Sequence, residues 1–106
     1  MISIKKIQEL LALHFDANGY QRTSAVTDSH PIVLTEFWSL VSTDGFAFFI
    51  GFENWDEFES VGLSSSKPQF HEKNEWIETV LLNKTWKKQY INFLREIAIL
   101  EIEYGK

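Results

Sequence analysis

The chain has 106 residues, with 10 Lys and Arg, 15 Asp and Glu, no Cys and a formal net charge of −5. This length suits one domain over residues 1–106 with a single core. The lack of cysteine excludes a disulfide scaffold, a zinc ribbon and a thiol nucleophile. No apolar stretch approaches the roughly 18–20 residues of a membrane span, and the N-terminus lacks a signal-peptide core. The composition therefore predicts a soluble, cytoplasmic protein with no membrane partner.

The acidic excess lies in the middle of the chain. No Lys or Arg occurs between Arg22 and Lys67, and that interval holds seven acids, namely Asp28, Glu36, Asp44, Glu53, Asp56, Glu57 and Glu59. Binding of nucleic acid requires a basic face that neutralises phosphates. The charge pattern therefore predicts no nucleic-acid partner and favours a basic protein partner. The alternative is that the acids only keep the protein soluble.

The first elements follow from periodicity. Apolar residues recur at helical spacing from Ile4 to Phe15, Ser3 suits the N-cap, and Asn18-Gly19 supplies a stop. These features predict a helix over 4–17. The β-forming residues 20–27 precede a cluster of turn residues and predict a first strand.

A β-hairpin is predicted over 32–52, where Asp44-Gly45 separates two apolar runs. Asp-Gly is a preferred pair for a two-residue type I′ turn, and this loop sets Trp38 opposite Gly51. Both faces of the hairpin are largely apolar, so we expect helices or a partner to cover it at least in part on both sides. The first run also fits a helical spacing, through Leu34, Phe37, Trp38 and Val41.

The remaining elements are predicted to be helical. Asn54 and Glu57 match a capping box that opens a short helix over 55–61, and 63–68 has the composition of a surface loop. Residues 69–82 favour a helix, although part of this segment could form a strand. From Trp86 onward an apolar stripe at helical spacing predicts a C-terminal helix. The stripe consists of Trp86, Tyr90, Phe93, Leu94, Ile97, Leu100 and Tyr104.

These elements together predict the α+β class. We expect a small antiparallel sheet of about three strands with the hairpin 32–52 at its centre. An N-terminal helix and two or three C-terminal helices would pack on this sheet.

No arrangement of residues predicts catalysis. His14, His30 and His71 share no metal-ligand spacing, no serine lies in a nucleophile elbow, and no glycine-rich phosphate loop occurs. Pairs of carboxylates suited to glycoside chemistry can be drawn from 53–59, but a domain this small rarely builds a deep cleft. We therefore predict no enzymatic activity, no metal and no cofactor.

The segment from Glu53 to Glu59 interleaves four carboxylates with two aromatic side chains. Aromatic anchors are common at the centres of protein interfaces, and acids complement a basic partner. The alternative is that Trp55 and Phe58 only dock a short helix on the core. The predicted partner-binding residues are Glu53, Trp55, Asp56, Glu57 and Glu59, followed by Asp44, Glu36 and Asp28.

In size, acidity and lack of a catalytic motif, the chain resembles the small immunity proteins and antitoxins that neutralise bacterial toxins. The resemblance rests on these general properties and on no sequence motif. It implies a bacterial inhibitor that occludes the cationic active site of a toxin, such as a nuclease, with rigid preformed elements. One alternative is a small enzyme or ligand-binding domain with a pocket between sheet and helices. Another is a structural or adaptor subunit that dimerises through its aromatic surface.

Overall fold

A computed structural model describes residues 2–27, 33–55 and 58–104 of the chain. They form a five-stranded antiparallel sheet in which the strands lie side by side in chain order. The elements are α1 (Ile4–Ala17), β1 (Gln21–Val26), β2 (Leu34–Val41), β3 (Ala47–Trp55), β4 (Phe58–Ser64), β5 (Glu78–Leu81) and α2 (Trp86–Tyr104). The predicted α+β class is correct.

The predicted number of elements is wrong. Within the described residues, the sheet has five strands instead of about three, and a single helix follows it instead of two or three. The predicted helix over 55–61 is replaced by β4, and the segment 69–82 contains the strand β5 instead of a helix. In β4, Val61 and Leu63 are buried and alternate with small residues, which is the period of a strand.

The first helix agrees with its prediction. The Ser3 side chain accepts a hydrogen bond of 3.1 Å from the amide of Lys6, which satisfies one of the free N–H groups of the first turn. The helix ends at the cap residue Asn18, and Gly19 follows it with φ +78°. Glycine adopts this left-handed conformation without strain.

The β2–β3 hairpin is confirmed, but its loop is one residue longer than predicted. The amide of Ser42 donates to the carbonyl of Phe46 at 2.8 Å, so residues 43–45 form a three-residue loop. Gly45 has φ +88°, the left-handed position that such loops require after their turn. The register of the hairpin is consequently shifted by one residue.

Both helices pack on one face of the sheet, which we call the inner face. Phe93 and Ile97 from α2 are buried there against the strands, together with Ile7, Leu11 and Phe15 from α1. The strands contribute Trp38, Leu40, Phe48, Ile50, Phe52, Val61, Leu63 and Val80. Neither described helix combines the length and the apolar character needed to cross a membrane.

The opposite, outer face is covered by the connection between β4 and β5. The shifted register places Phe37, instead of Trp38, opposite Gly51. Trp76 lies directly on the two glycines of the neighbouring strands, because a Cβ built on Gly51 or Gly62 would lie 2.3 or 2.2 Å from its ring. The hairpin is therefore covered on both sides, but the outer cover is the β4–β5 connection instead of the predicted helices or partner.

Candidate functional site

Two of the predicted site acids accept hydrogen bonds from tryptophan indoles. Nε1 of Trp38 donates to Glu36 at 2.8 Å, and Nε2 of Gln8 donates to the other oxygen of that carboxylate at 3.1 Å. Nε1 of Trp76 donates to Glu53 at 2.8 Å, and Glu53 is only 5% exposed. Glu36 thus links α1 to the sheet, and Glu53 holds Trp76 on the outer face. The Glu53 carboxylate does not face solvent.

The other acids near the β3–β4 hairpin are placed only in part. Glu59 lies in β4, and its backbone carbonyl accepts a hydrogen bond of 3.0 Å from Leu82. Trp55 pairs with Phe58 where the two strands meet. The predicted site residues Asp28, Asp56 and Glu57 lie outside the described residues. Binding of a partner by segment 53–59 therefore stays a prediction.

Asp44 lies in the β2–β3 loop at the opposite end of the sheet. The Ser42 hydroxyl donates to its carboxylate and accepts a hydrogen bond of 3.0 Å from the amide of Phe46. This double contact fixes the loop conformation. Asp44 is a predicted site acid that the structure describes, and it lies at an open cleft.

This cleft lies between α1, α2 and the β2–β3 loop, and we call it the interhelix groove. Its volume is about 450 Å³, and it is lined by His14, Asn18, Tyr20, Asp44, Leu94, Ile97, Ala98, Glu101 and Ile102. Apolar side chains from α2 thus stand beside a cluster of polar groups. The described lining contains two carboxylates and neither Lys nor Arg.

Burial and neighbouring charges fix the protonation of the groove. Burial raises the pKa of Tyr20, and the hydrogen bond to Glu101 and the charges of Glu101 and Asp44 raise it further. Tyr20 therefore stays protonated and donates its hydroxyl to the Glu101 carboxylate. Burial also lowers the pKa of His14, so its imidazole is neutral at neutral pH. The two carboxylates of the groove thus stand beside a protonated phenol and a neutral imidazole, with neither Lys nor Arg among the described lining residues.

A second cleft lies on the other side of the last turns of α2. It has a volume of about 470 Å³ and is lined by Gly45, Phe46, Ala47, Phe48, Ser64, Ser65, Ile77, Leu100 and Tyr104. Ile102 is 83% exposed and Tyr104 is 72% exposed on the helix between the two clefts. We call the lining of both clefts the turn-end surface.

Sequence reasoning missed most of this surface. Tyr104 was expected in the buried stripe of the last helix, yet it is exposed, and Glu101 had no predicted role. A signal was available, because Ile91, Ile99 and Ile102 lie off the predicted stripe and the structure leaves all three exposed. Apolar residues around most of a helix indicate that more than one face meets a neighbour.

Within the described ranges, no three His, Asp or Glu side chains are arranged to hold a metal ion. Comparison with known proteins found no matching family model, and no curated protein or solved structure matched the chain.

Proposed function

We propose that this chain is a small protein-binding inhibitor of the immunity or antitoxin type, which caps the basic active site of a partner such as a toxin nuclease. The turn-end surface carries the proposal. It combines exposed apolar side chains with the carboxylates of Asp44 and Glu101, and no Lys or Arg is among its described lining residues.

The apolar part of the surface supplies the anchors. Ile102 and Tyr104 are largely exposed, and burial of one such side chain contributes about 1.5–3 kcal/mol. Tyrosine is also enriched among the residues that dominate binding energy. Fixed secondary structure on both sides of the clefts keeps the ordering cost of binding low.

The acidic part supplies selectivity for a basic partner. A Lys or Arg side chain that enters the interhelix groove meets Glu101 and Asp44 beside apolar walls, where charge pairs are stronger than in water. The net charge of −5 also speeds the approach of a cationic partner at low salt. Segment 53–59 is the second location for the same function, and binding there would depend on Asp56, Glu57 and Glu59.

The test uses the purified product of the reading frame that adjoins this one in its genome. Association rates and affinity are measured at low and high salt for the wild type and for three double variants of equal charge change. Asp44→Lys/Glu101→Lys alters the groove, and Asp56→Lys/Glu57→Lys alters the predicted acidic segment. The matched control, Glu72→Lys/Glu75→Lys, alters exposed acids outside both.

We expect a complex whose association slows as salt rises. Loss of one member of a desolvated charge pair costs about 2–5 kcal/mol, so the groove variant should bind at least ~30-fold more weakly than the control. Selective loss in the Asp56/Glu57 variant would instead locate the site in segment 53–59. No binding, or equal loss in all three variants, would contradict the proposal.

The interhelix groove also favours a second candidate, a ligand-binding domain for a small cationic molecule. Its two carboxylates converge with the hydroxyl of Tyr20 in a cleft between helices and sheet, the arrangement typical of ligand pockets. Spermidine is a suitable probe. A rise in melting temperature with spermidine that disappears in Asp44→Lys/Glu101→Lys and persists in Glu72→Lys/Glu75→Lys would support this candidate.

A further inference from the structure

The two edge strands of the sheet, β1 and β5, differ in how their outer backbone groups are satisfied. On β5 the amide of Leu81 donates to the side chain of Gln89 at 2.7 Å, and the amide of Thr79 donates to the side chain of Glu78 at 3.3 Å. The strand has only four residues. This edge is short and its outward amides already have acceptors, as is usual where pairing with another chain is avoided.

On β1 the outer backbone groups are open. In antiparallel sheets alternate residues direct both N–H and C=O to the same neighbour. Ser42 donates its N–H to Phe46 across the hairpin, so the even-numbered residues of β2 direct their backbone groups to β3 and the odd-numbered ones direct theirs to β1. The partners of these odd-numbered residues on β1 are odd-numbered too. Arg22, Ser24 and Val26 therefore direct their N–H and C=O groups outward. Among the described residues, no partner is found for these six groups.

The strand carries none of the usual protection of an edge. It contains no Pro, Lys, Asp or Glu, its register with β2 is regular over six residues, and Val26 is 63% exposed. Its single charge, Arg22, is turned away from the edge. The guanidinium lies 4.7 Å from the centre of the Trp38 ring and 3.7 Å from Asp16.

We propose that this edge binds β1 of a second copy of the chain. The two strands run antiparallel about a two-fold axis at Ser24, which stands opposite its own copy, while Arg22 stands opposite Val26. Each of these three pairs exchanges two N–H···O bonds, so all six outward groups of each strand are satisfied. A ten-stranded sheet results, with the four helices on the same face. This pairing does not depend on the proposed function.

The charges next to the strand complement this pairing. No two like charges stand directly opposite each other, because Arg22 meets Val26. Lys5, Gln8 and Asp16 share the flank of α1 on the side of β1, as helical spacing and the Asp16–Arg22 contact show. The two-fold axis brings the Asp16 end of one α1 beside the Lys5 end of the other.

Salt separates this interaction from binding of a basic partner. Two copies with a net charge of −5 each repel one another, and salt screens that repulsion. The dimer should therefore tighten as salt rises, whereas the complex of the proposed function should weaken. Failure of one proposal leaves the other unaffected.

The first experiment uses the lack of cysteine in the chain. Ser24→Cys introduces a single thiol, and the Cα atoms of such a hydrogen-bonded pair lie about 5.5 Å apart, within the range of a disulfide. Thr23→Cys is the matched control, because its side chain lies on the other face, opposite Ala25 of the second copy. Under mild oxidation at high salt we expect Ser24→Cys to form linked dimer at least ~10-fold faster, since the pairing raises the effective concentration of its thiols.

The second experiment measures association by sedimentation equilibrium. Ser24→Pro removes one outward N–H and is tolerated on an edge strand, while Ser24→Thr keeps it. We expect a wild-type dimer that tightens with salt, is kept by Ser24→Thr and is lost in Ser24→Pro. If Ser24→Pro does not fold by circular dichroism, Ser24→Lys replaces it, because two lysines would stand opposite each other.

Three results would overturn the pairing. The first is a wild-type chain that is monomeric at about millimolar concentration at both salts. The second is equal cross-linking of Ser24→Cys and Thr23→Cys. The third is a dimer that survives both Ser24→Pro and Ser24→Lys, since its interface would then lie elsewhere.

Discussion

The contact between Trp76 and Gly62 predicts a strong coupling between two substitutions. A Cβ built on Gly62 would lie 2.2 Å from Cδ2 of the Trp76 indole, a distance that requires the ring to move. Trp76 cannot move freely, because its Nε1 is hydrogen-bonded to the buried Glu53. Gly62→Ala should therefore lower the free energy of unfolding by about 1–3 kcal/mol, the usual cost of overpacking.

Removal of the ring should remove that cost. In a Trp76→Ala background the three atoms nearest the added methyl group are gone, and alanine in a strand is favoured over glycine by about 0.5–1 kcal/mol. Gly62→Ala should then be neutral or stabilising. The coupling energy of the two substitutions is expected to exceed ~1 kcal/mol, above the roughly 0.3–0.5 kcal/mol expected for independent sites.

Urea unfolding followed by far-UV circular dichroism measures all four members of this cycle. Gly45→Ala is the matched control, since its Cβ would meet nothing within 4 Å and its cost arises from φ +88° alone. That cost should be the same in both backgrounds. If Trp76→Ala is too unstable to measure, Trp76→Leu provides a smaller side chain. Equal costs of Gly62→Ala in both backgrounds would refute the proposed packing of Trp76 on the sheet.

Three further predictions concern the hairpin, the last helix and the groove. Gly45→Val should lower the free energy of unfolding by about 1–3 kcal/mol, because a β-branched residue is strained at positive φ. An unchanged urea midpoint would contradict the positive φ of Gly45 in the loop. Phe93→Ala should lower the free energy of unfolding by about 3–5 kcal/mol, and substitution of the half-buried Leu94 by Ala should lower it clearly less. Equal decreases in urea unfolding would contradict the orientation of α2. Because the pKa of Tyr20 is raised in the folded chain, the unfolded chain loses this proton first as pH rises above about 10. The free energy of unfolding should then fall less steeply in Tyr20→Phe than in the wild type. Identical slopes would contradict the burial of Tyr20 and its bond to Glu101.

Local signals predicted the elements that depend on local interactions. The N-terminal helix has its cap at Ser3 and its stop at Gly19, and the hairpin has the Asp44-Gly45 pair that its loop requires. Each of these features stabilises its element through residues a few positions away. The helix and the hairpin were therefore visible in the sequence, although the loop has three residues instead of the predicted two.

The last two strands depend on distant partners and were missed for that reason. The four residues of β5 pair with β4 through Val80 and Val61, and no local pattern of that length separates a strand from a helix. The capping-box match of Asn54 and Glu57 favours a helix over 55–61, whereas the alternation around Val61 in β4 favours a strand. Pairing with two neighbouring strands outweighs such a local preference.

The roles of the acids could not be read from their number. Seven acids without a base between Arg22 and Lys67 predicted one acidic surface, but charge density says nothing about which carboxylates meet a donor. Glu36 and Glu53 each accept a tryptophan N–H, and those tryptophans lie on opposite faces of the sheet. Only the three-dimensional pairing of strands reveals these contacts.

The same pairing explains why we propose the turn end as a site beside the predicted segment 53–59. A carboxylate bonded to a buried indole already has a partner, and breaking that bond to bind another protein would leave a buried group unsatisfied. Asp44 and Glu101 differ because they border an open groove, and the donors that reach them come from the hydroxyls of Ser42 and Tyr20. A cation of a partner can approach these two carboxylates without dismantling the core. Acids that a partner can reach are therefore expected where the sheet ends, at the loop and the helix terminus, and not along its buried strands.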